Sequence, residues 1–309
     1  MKPLFQTVPE MLHGHAAATP GAPALIVPDR GILTFGDLAE LARDALEFLN
    51  ARGLGREDRV ALLIDDRPAL AAAILALCGV STVIPLNPAR SRSEIEPDLR
   101  AVQADAIVAS PALRTFGDEL SSALDLPLFS LELDTERTAG AFGLSGGSPR
   151  AVRLPGPAQP GDVATIQFTS GTTAEPKAVP RKHGVLLEHM AAQGAFYGLT
   201  SADRGIHIIP VFYGGGTNAG LIMPLIAGGS VIVLSTPTME AFYGALQEHR
   251  PTWYTAGFTF QQSILDAARH YPGVGARTRL RFIRSGSGRL LLRVLEGLER
   301  TFHCPVVER

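Results

Sequence analysis

The sequence predicts an α/β protein with two helix-covered, largely parallel β-sheets. Strand-length apolar segments alternate with helical patterns along most of the chain, as expected for parallel sheets with right-handed crossovers. This alternation is found on both sides of residues 143–161, where Gly, Ser and Pro occur without periodicity. A chain of 309 residues with a hydrophobic content of 46% is long and apolar enough for a large core or two domains.

Residues 1–142 are predicted to form a first α/β subdomain. Thr34 can cap a helix with Asp37 as its capping-box partner, and apolar residues then recur at helical spacing. A second helix begins at Asp66 and is apolar nearly all round, which predicts that it is buried. The remaining predicted elements are strands over 59–64, 83–86 and 106–109, and a helix that begins at a capping box of Ser91 and Glu94.

Residues 143–161 are predicted to be a surface linker. Beyond it, residues 162–309 are predicted to form a second α/β subdomain that carries a phosphate loop and is incomplete at its C-terminus. The pattern predicts strands over 163–168, 205–211, 230–234, 252–256 and 280–285, and helices near 184–197, 217–227, 239–249, 259–270 and 289–301.

The composition argues against several classes of function. A net charge of −2 gives no reason to expect nucleic acid or an anionic membrane as a partner. Two cysteines, Cys78 and Cys304, cannot make a disulfide framework or a zinc site, and we expect both to be buried. The longest apolar runs are too short or too interrupted by Pro and Gly to span a bilayer, and the N-terminus lacks a secretory signal pattern. We therefore expect a cytoplasmic protein with no membrane partner.

A hydroxyl-rich loop follows the predicted strand over 163–168. Loops at the carboxyl ends of parallel strands are where such folds bind ligands. Successive loop amides can form an anion-binding concavity, and a lysine adds positive charge, so the loop suits a polyphosphate. The alternative is an ordinary polar turn that carries a solvated lysine. The residues concerned are Thr169, Ser170, Gly171, Thr172, Thr173 and Lys177.

Two other nucleotide-binding motifs match less well. A Walker loop needs Gly before its lysine and Ser or Thr after it, but Lys177 lies between Pro176 and Ala178. The segment GGGTNAG at 214–220 resembles a dinucleotide-binding turn, although its third Gly comes one residue late. The strand that follows it ends without the carboxylate that would hold a ribose. A nicotinamide-dependent oxidoreductase is therefore only an alternative.

The segment TSGTTAEPK at 169–177 resembles the phosphate-loop signature of the adenylate-forming superfamily, the AMP-dependent synthetases and ligases that include acyl-CoA synthetases. The chain departs from the usual T-S-G-T-T-G-x-P-K-G-V with Ala174 and Ala178 in place of Gly. Later segments match weaker motifs of the superfamily in the correct order, with Tyr213 where a His is usual. These segments are PVFYGGG at 210–216, LIAGGSVIV at 225–233, PTWYTAGFT at 251–259, RSGSGRL at 284–290 and FHCPVVER at 302–309.

This resemblance implies the truncated N-terminal domain of an adenylate-forming enzyme, with layers of the αβαβα type. It implies that ATP, with Mg²⁺, converts a small carboxylic acid to an acyl-adenylate, and that the acyl group then passes to CoA or to the phosphopantetheine of an acyl carrier protein. The resemblance assigns the triphosphate to Thr169, Ser170, Gly171, Thr172, Thr173 and Lys177. It assigns the adenine or acyl group to Ser285, Gly286 and Ser287, and the acid pocket to Tyr213 and Gly214.

The end of the sequence bears on catalysis. The chain ends at Arg309, where the superfamily's Y-G-x-T-E motif would begin. The acidic ligands and the adenylation lysine of the superfamily have no counterpart in this sequence, so we expect no catalytic residue within residues 1–309 and no activity from them alone. No metal-ligand spacing is present among the histidines, so we assign no metal site. A binding module that keeps a nucleotide or acyl pocket without catalysis is the other alternative.

Overall fold

The computed structural model describes residues 4–134, 139–168, 177–286 and 288–308. Within these residues the chain forms two seven-stranded sheets flanked by helices, so the predicted fold class is confirmed. The strands are β1 (Pro23–Val27), β2 (Gly31–Thr34), β3 (Arg59–Leu63), β4 (Thr82–Pro85), β5 (Ala106–Ala109), β6 (Leu128–Leu133), β7 (Phe142–Ser145), β8 (Val163–Phe168), β9 (Ala178–Lys182), β10 (Arg204–His207), β11 (Ser230–Val233), β12 (Trp253–Gly257), β13 (Phe282–Gly286) and β14 (Val306–Glu308).

The helices begin where the sequence supplies caps. Thr34 and Asp37 form the predicted capping box, and the Asp66 carboxylate accepts the Ala69 amide at 2.8 Å. No helix among the described residues has the length and hydropathy to span a membrane. The helices are α1 (Val8–Ala18), α2 (Phe35–Asn50), α3 (Arg67–Leu77), α4 (Arg92–Ala101), α5 (Arg114–Leu124), α6 (His183–Phe196), α7 (Met223–Ile226), α8 (Met239–Glu248), α9 (Phe258–Ala267), α10 (Val274–Arg277) and α11 (Leu292–Phe302), with a π-helix over Gly215–Ile222 and 3₁₀ turns at Pro111–Leu113 and Ala268–His270.

The strand order interleaves the two halves of the chain. The first sheet runs β7-β6-β5-β3-β4-β8-β9, and the second runs β14-β13-β12-β10-β11-β1-β2. Neighbouring strands are parallel except in the pairs β6/β7, β8/β9 and β1/β2. The second sheet therefore takes β1 and β2 from the start of the chain, and the first sheet takes β8 and β9 from beyond residues 143–161. The subdomain boundaries at 142 and 162 stay a prediction, but neither sheet is confined to one side of them.

Helices lie in three layers around the two sheets. The largest core cluster joins α1, α2, α3 and α6 to the facing sides of both sheets, and α3 is buried along Pro68–Leu77 because it lies between them. The outer side of the first sheet packs on α4 and α5. The outer side of the second sheet packs on α8, α9 and α11. This arrangement is the expected αβαβα layering, and it explains why most strands are apolar on both faces.

Three of the predicted segments differ in the structure. The strand expected over 205–211 ends at His207, and the helix expected over 217–227 is a π-helix followed by the single turn of α7. The predicted surface linker begins within β7, and part of it packs on the turn before β3, where the Arg56 amide donates to the Leu154 carbonyl at 3.0 Å.

Both cysteines are buried and free, as expected. Burial raises the pKa of the Cys304 thiol to about 11 and raises the pKa of Cys78 further. Neither thiol is ionised near neutral pH, so neither has the character of a nucleophile.

Candidate functional site

The carboxyl ends of the two sheets meet at one crevice. Arg67, at the start of α3 beyond β3, donates to the carbonyl oxygens of Leu234 and Ile208, each at 3.1 Å, which lie beyond β11 and β10. Arg30, beyond β1, makes a 2.6 Å ion pair with Asp66, beyond β3. Ligands of open α/β sheets bind outside the carboxyl ends of their strands. This crevice is therefore the candidate site.

A buried histidine fixes one wall of the crevice. His207 ends β10 on the inner side of the second sheet, and its Nε2–H donates to the Gly216 carbonyl at 2.9 Å. Burial and the nearby charge of Arg67 lower the pKa of His207 to about 4. The ring is therefore neutral near pH 7 and anchors the start of the π-helix rather than exchanging protons there.

The predicted phosphate loop connects β8 to β9. Residues 169–173, which carry the predicted hydroxyl and glycine contacts, lie outside the described residues, as does Ser287. The described ends of the loop are held together because Phe168 pairs with Ala178 in antiparallel register. Lys177 is exposed at the entrance to β9. Its charge is thus available at the loop's end.

Tyr213 and Gly214 lie in the turn between β10 and the π-helix. The Tyr213 amide donates to the Pro210 carbonyl at 3.1 Å, and its ring contacts Phe212 edge-on at 4.6 Å. The Tyr213 side chain is 39% exposed, so it is not a core residue. Gly214 lies against side chains of the first sheet, which brings the two sheets together at this point.

Beside Gly214 lies a group of buried polar side chains that sequence reasoning missed. Gln167 donates through Nε2 to the Thr217 hydroxyl at 2.7 Å, which links β8 to the π-helix. We call Thr165, Gln167, Arg181 and Asn218 the polar cluster. Each has a buried nitrogen or oxygen without a hydrogen-bond partner among the described residues: Thr165 Oγ1, Gln167 Oε1, Arg181 Nε and Asn218 Oδ1. The sequence contains one signal of this cluster, since Thr165 and Gln167 alternate with apolar residues in the segment VATIQF.

Ser285 and Gly286 end β13 in the second sheet. The Ser285 side chain is fully buried, and its hydroxyl has no hydrogen-bond partner among the described residues. Gly286 lies opposite Gly257 of β12, and a Cβ built on Gly257 would meet no heavy atom within 4 Å. The open space at Gly257 leaves room for a ligand group to approach the main chain there.

The structure thus distributes the predicted residues over both sides of the crevice. Lys177 belongs to the first sheet, whereas Ser285 and Gly286 belong to the second. Among the predicted site residues that the structure describes, Gly214 lies near side chains of the first sheet. In the part of the chain that the structure describes, no group of three or more His, Cys, Asp or Glu side chains could hold a metal ion.

A cavity of about 640 Å³ lies on the other face of the β8–β9 pair. Its lining includes Ile166 and Pro180, which alternate with Gln167 and Arg181 along their strands. None of the predicted site residues that the structure describes lines this cavity. It lies outside the crevice at the carboxyl ends, and we assign it no part in the site.

The chain is similar to known proteins over nearly its whole length. The family model described as AMP-binding enzyme matches residues 12–309. The chain is 31% identical over 312 residues to the probable CoA ligase CCL9 of Humulus lupulus, which covers 98% of this chain and 58% of that protein. It is 29% identical over 309 residues to the oxalate–CoA ligase of Arabidopsis thaliana, which covers 98% of this chain and 60% of that protein. The chain thus spans less than two thirds of the length of these relatives.

Solved structures share the fold. Apo MatB and ATP-bound MatB from Rhodopseudomonas palustris each superpose with a TM-score of 0.80 at 21% sequence identity. Each superposition covers 98% of this chain and 59% of the MatB chain. This likeness places the two-sheet architecture among known structures.

Proposed function

The chain belongs to the AMP-binding enzyme family, and on that premise we propose that it serves the ATP-dependent activation of a carboxylic acid as an acyl-adenylate, followed by transfer of the acyl group to a thiol. The observation that carries this proposal is the convergence of both sheets at one crevice. The hairpin with the predicted phosphate loop flanks one side of it, and the end of β13 flanks the other.

We assign the predicted residues these roles in binding. The loop and Lys177 would hold the triphosphate, and Ser285, Gly286 and Ser287 would hold the adenine or acyl group, mostly through the backbone. Tyr213 and Gly214 would lie beside the acid. The residues that would hold the triphosphate are Thr169, Ser170, Gly171, Thr172, Thr173 and Lys177.

The chemical requirement supports these roles. A carboxylate is a poor acyl donor, whereas an acyl-adenylate has AMP as a good leaving group. Charge that develops on the transferring phosphoryl group is best stabilised by fixed donors in a site that excludes water. Contacts such as Arg67 to Leu234 and Gln167 to Thr217 hold the walls of the crevice, which would keep such donors in place. All the residues named here bind or orient, and we name no catalytic residue within the chain.

For the acceptor of the acyl group we propose only its chemical class, a thiol. CoA and the phosphopantetheine of an acyl carrier protein present the same thiol, and relatives named as CoA ligases favour CoA. The carrier-bound thiol, which the resemblance to the superfamily also implies, is the second acceptor to test.

The test is ATP–pyrophosphate exchange by the intact protein with a panel of acids, followed by detection of the thioester with CoA or a carrier protein. We expect acid-dependent exchange and a thioester with one of the two acceptors. ATP binding without exchange for any acid would instead indicate a non-catalytic binding module. Saturable NADH binding in a fluorescence titration would contradict the proposal.

A further inference from the structure

The register of β8 and β9 places an arginine on the crevice side of the first sheet. Thr165 pairs with Arg181, and Gln167 pairs with Val179. Residues directly opposite each other in an antiparallel pair share a face. Ile166, between Thr165 and Gln167, packs in the outer core cluster with α4 and α5. Arg181 therefore lies with Thr165 and Gln167 on the side that faces the π-helix.

Gly214 lies close to the polar atoms of these side chains. A Cβ built on Gly214 would stand 3.1 Å from Gln167 Oε1, 3.6 Å from Asn218 Nδ2 and 3.9 Å from Arg181 Nη2. Three polar atoms from β8, β9 and the π-helix thus point to one place where the chain supplies no side chain. The location is next to Tyr213, at the predicted acid pocket.

The polar cluster lacks partners of its own. Gln167 is 3% exposed and Asn218 is 6% exposed, and neither Gln167 Oε1 nor Asn218 Oδ1 has a hydrogen-bond partner among the described residues. Arg181 makes no ion pair with any residue that the structure describes, and its Nε is buried without a partner. Buried polar groups are ordinarily hydrogen-bonded. Arg181 is half-buried, and its guanidinium has no counter-charge among the described residues. Such a cluster is suited to a ligand that brings the missing partners.

We propose that the polar cluster binds a second, anionic group of the acid substrate, so that the protein takes a short dicarboxylate or a similarly dianionic acid rather than an apolar one. This inference rests on the proposed function and narrows its substrate class. The planar guanidinium of Arg181 matches a carboxylate in a two-bond arrangement, and the amides of Gln167 and Asn218 can adjust their donors and acceptors around it. An acid with a methyl group in this place would leave the buried polar atoms unpaired.

The test compares acids of equal length. Succinate and butyrate differ in one terminal group, as do malonate and propionate. Calorimetric binding of each acid gives one readout, and kcat/KM for ATP–pyrophosphate exchange gives another. We expect each dicarboxylate to be favoured over its monocarboxylate by roughly 10- to 100-fold, the value of one charged hydrogen-bonded contact.

Variants identify the residue responsible. Arg181→Met should abolish the preference for succinate over butyrate and leave butyrate binding and ATP affinity unchanged. Arg181→Lys should retain part of the preference because it keeps the charge and loses the planar fork. Lys182→Met is the matched control, since Lys182 is exposed on the same strand and alternates in face with Arg181. Asn218→Asp supplies Arg181 with an internal carboxylate and should also lower succinate affinity.

The outcomes separate this inference from the proposed function. Exchange that favours monocarboxylates and does not change in Arg181→Met would overturn the inference while the ligase proposal stands. Preferential binding of dicarboxylates without any exchange would support the inference and contradict the ligase proposal. A fall in ATP affinity in Arg181→Met with unchanged acid selectivity would assign Arg181 to the nucleotide and overturn the inference. Circular dichroism of each variant confirms that the comparison is made on folded protein.

Discussion

Glycines in the crevice wall make room for the backbone and for a buried ring. A Cβ on Gly216 would stand 2.1 Å from the Pro210 carbonyl oxygen, and one on Gly220 would stand 2.2 Å from His207 Cδ2. Gly216 and Gly220 therefore have a packing reason within the π-helix. Two of the glycines of this segment are thus explained without the dinucleotide-binding turn that the alternative function required.

We predict that Gly216→Ala lowers the free energy of unfolding by about 1–3 kcal/mol, because the backbone must move to admit the methyl group. Gly215→Ala is the matched control, since its Cβ would meet only Ile209 Cδ1, at 3.9 Å. We expect the control to change the free energy of unfolding by less than about 0.5 kcal/mol. Urea denaturation of both variants checks this, and equal destabilisation would contradict the packing argument.

The second prediction concerns Lys177, which is exposed at the end of the predicted phosphate loop. Lys177→Ala should weaken ATP binding by about 1.5–3 kcal/mol, the value of a hydrogen bond to a charged group, and should affect acid binding less. Equilibrium titration with ATP provides the measurement. Lys182→Ala serves as the control, since that side chain is exposed at the far end of β9. Unchanged ATP affinity in Lys177→Ala would show that Lys177 is only a surface charge.

At the scale of single elements, short polar signals set where helices begin, and pairing sets which face of a strand is polar. In α2 the Asp37 amide donates to the Thr34 hydroxyl at 3.1 Å, and the Thr34 amide donates to the Asp37 carboxylate at 2.8 Å. These contacts are local, so the sequence pattern suffices to predict them. In β8 the sequence pattern alone did not indicate the role of Thr165 and Gln167. Their role depends on the strand and the helix that face them.

We predict that Thr34→Ala lowers the free energy of unfolding by about 1 kcal/mol, since the Thr34 hydroxyl no longer accepts from the Asp37 amide or donates to the Asp37 carboxylate. Thr34→Ser keeps the hydroxyl and should be close to the unsubstituted protein. Chemical denaturation monitored by circular dichroism measures the difference. A Thr34→Ala variant as stable as Thr34→Ser would show that packing alone holds the start of α2.

At the scale of the whole molecule, buried histidines tie separate layers together. His183, at the start of α6, donates from Nε2 to the Cys78 carbonyl beyond α3 at 2.9 Å, and its Nδ1 accepts the Val8 amide of α1 at 3.3 Å. These two bonds need the neutral ring. Burial lowers the pKa of His183 to about 4, and it also lowers the pKa of His207 in the second sheet to about 4.

The pH prediction follows from these two histidines. Their pKa of about 4 in the folded protein lies below the ordinary value of 6.5, so the unfolded chain binds protons that the folded protein does not. Their contribution to stability is complete above about pH 6.5 and falls as the pH drops toward 4, by about 1.4 kcal/mol per pH unit for each ring. Urea denaturation from pH 7 to pH 4.5 should show this loss.

His183→Gln provides the control for the pH prediction. The variant should be less stable at pH 7, because Gln does not reproduce both hydrogen bonds of the ring, and its stability should fall less steeply with decreasing pH. An identical pH slope in the variant and the unsubstituted protein would show that His183 titrates normally.

The sequence by itself determined the features that rest on local chemistry. The caps at Thr34, Asp66 and Ser91 and the apolar periodicity predicted most of the helices and strands of the two sheets. The segment at 169–177 predicted the family, which matches residues 12–309. The roles assigned to Thr169–Thr173 and Ser287 remain predictions because those residues lie outside the described part of the chain.

Tertiary structure decided which distant segments meet. No local sequence pattern places β1 beside β11. No local pattern brings Gln167, Arg181 and Asn218 together beside Gly214 either. Sheet membership and the polar cluster depend on pairing and packing between residues far apart in the chain. A periodicity of 2 or 3.6 residues reports only which face of an element is apolar. It carries no information about the partner of that face. For this reason the proposed subsite for an anionic group was visible only in the folded chain.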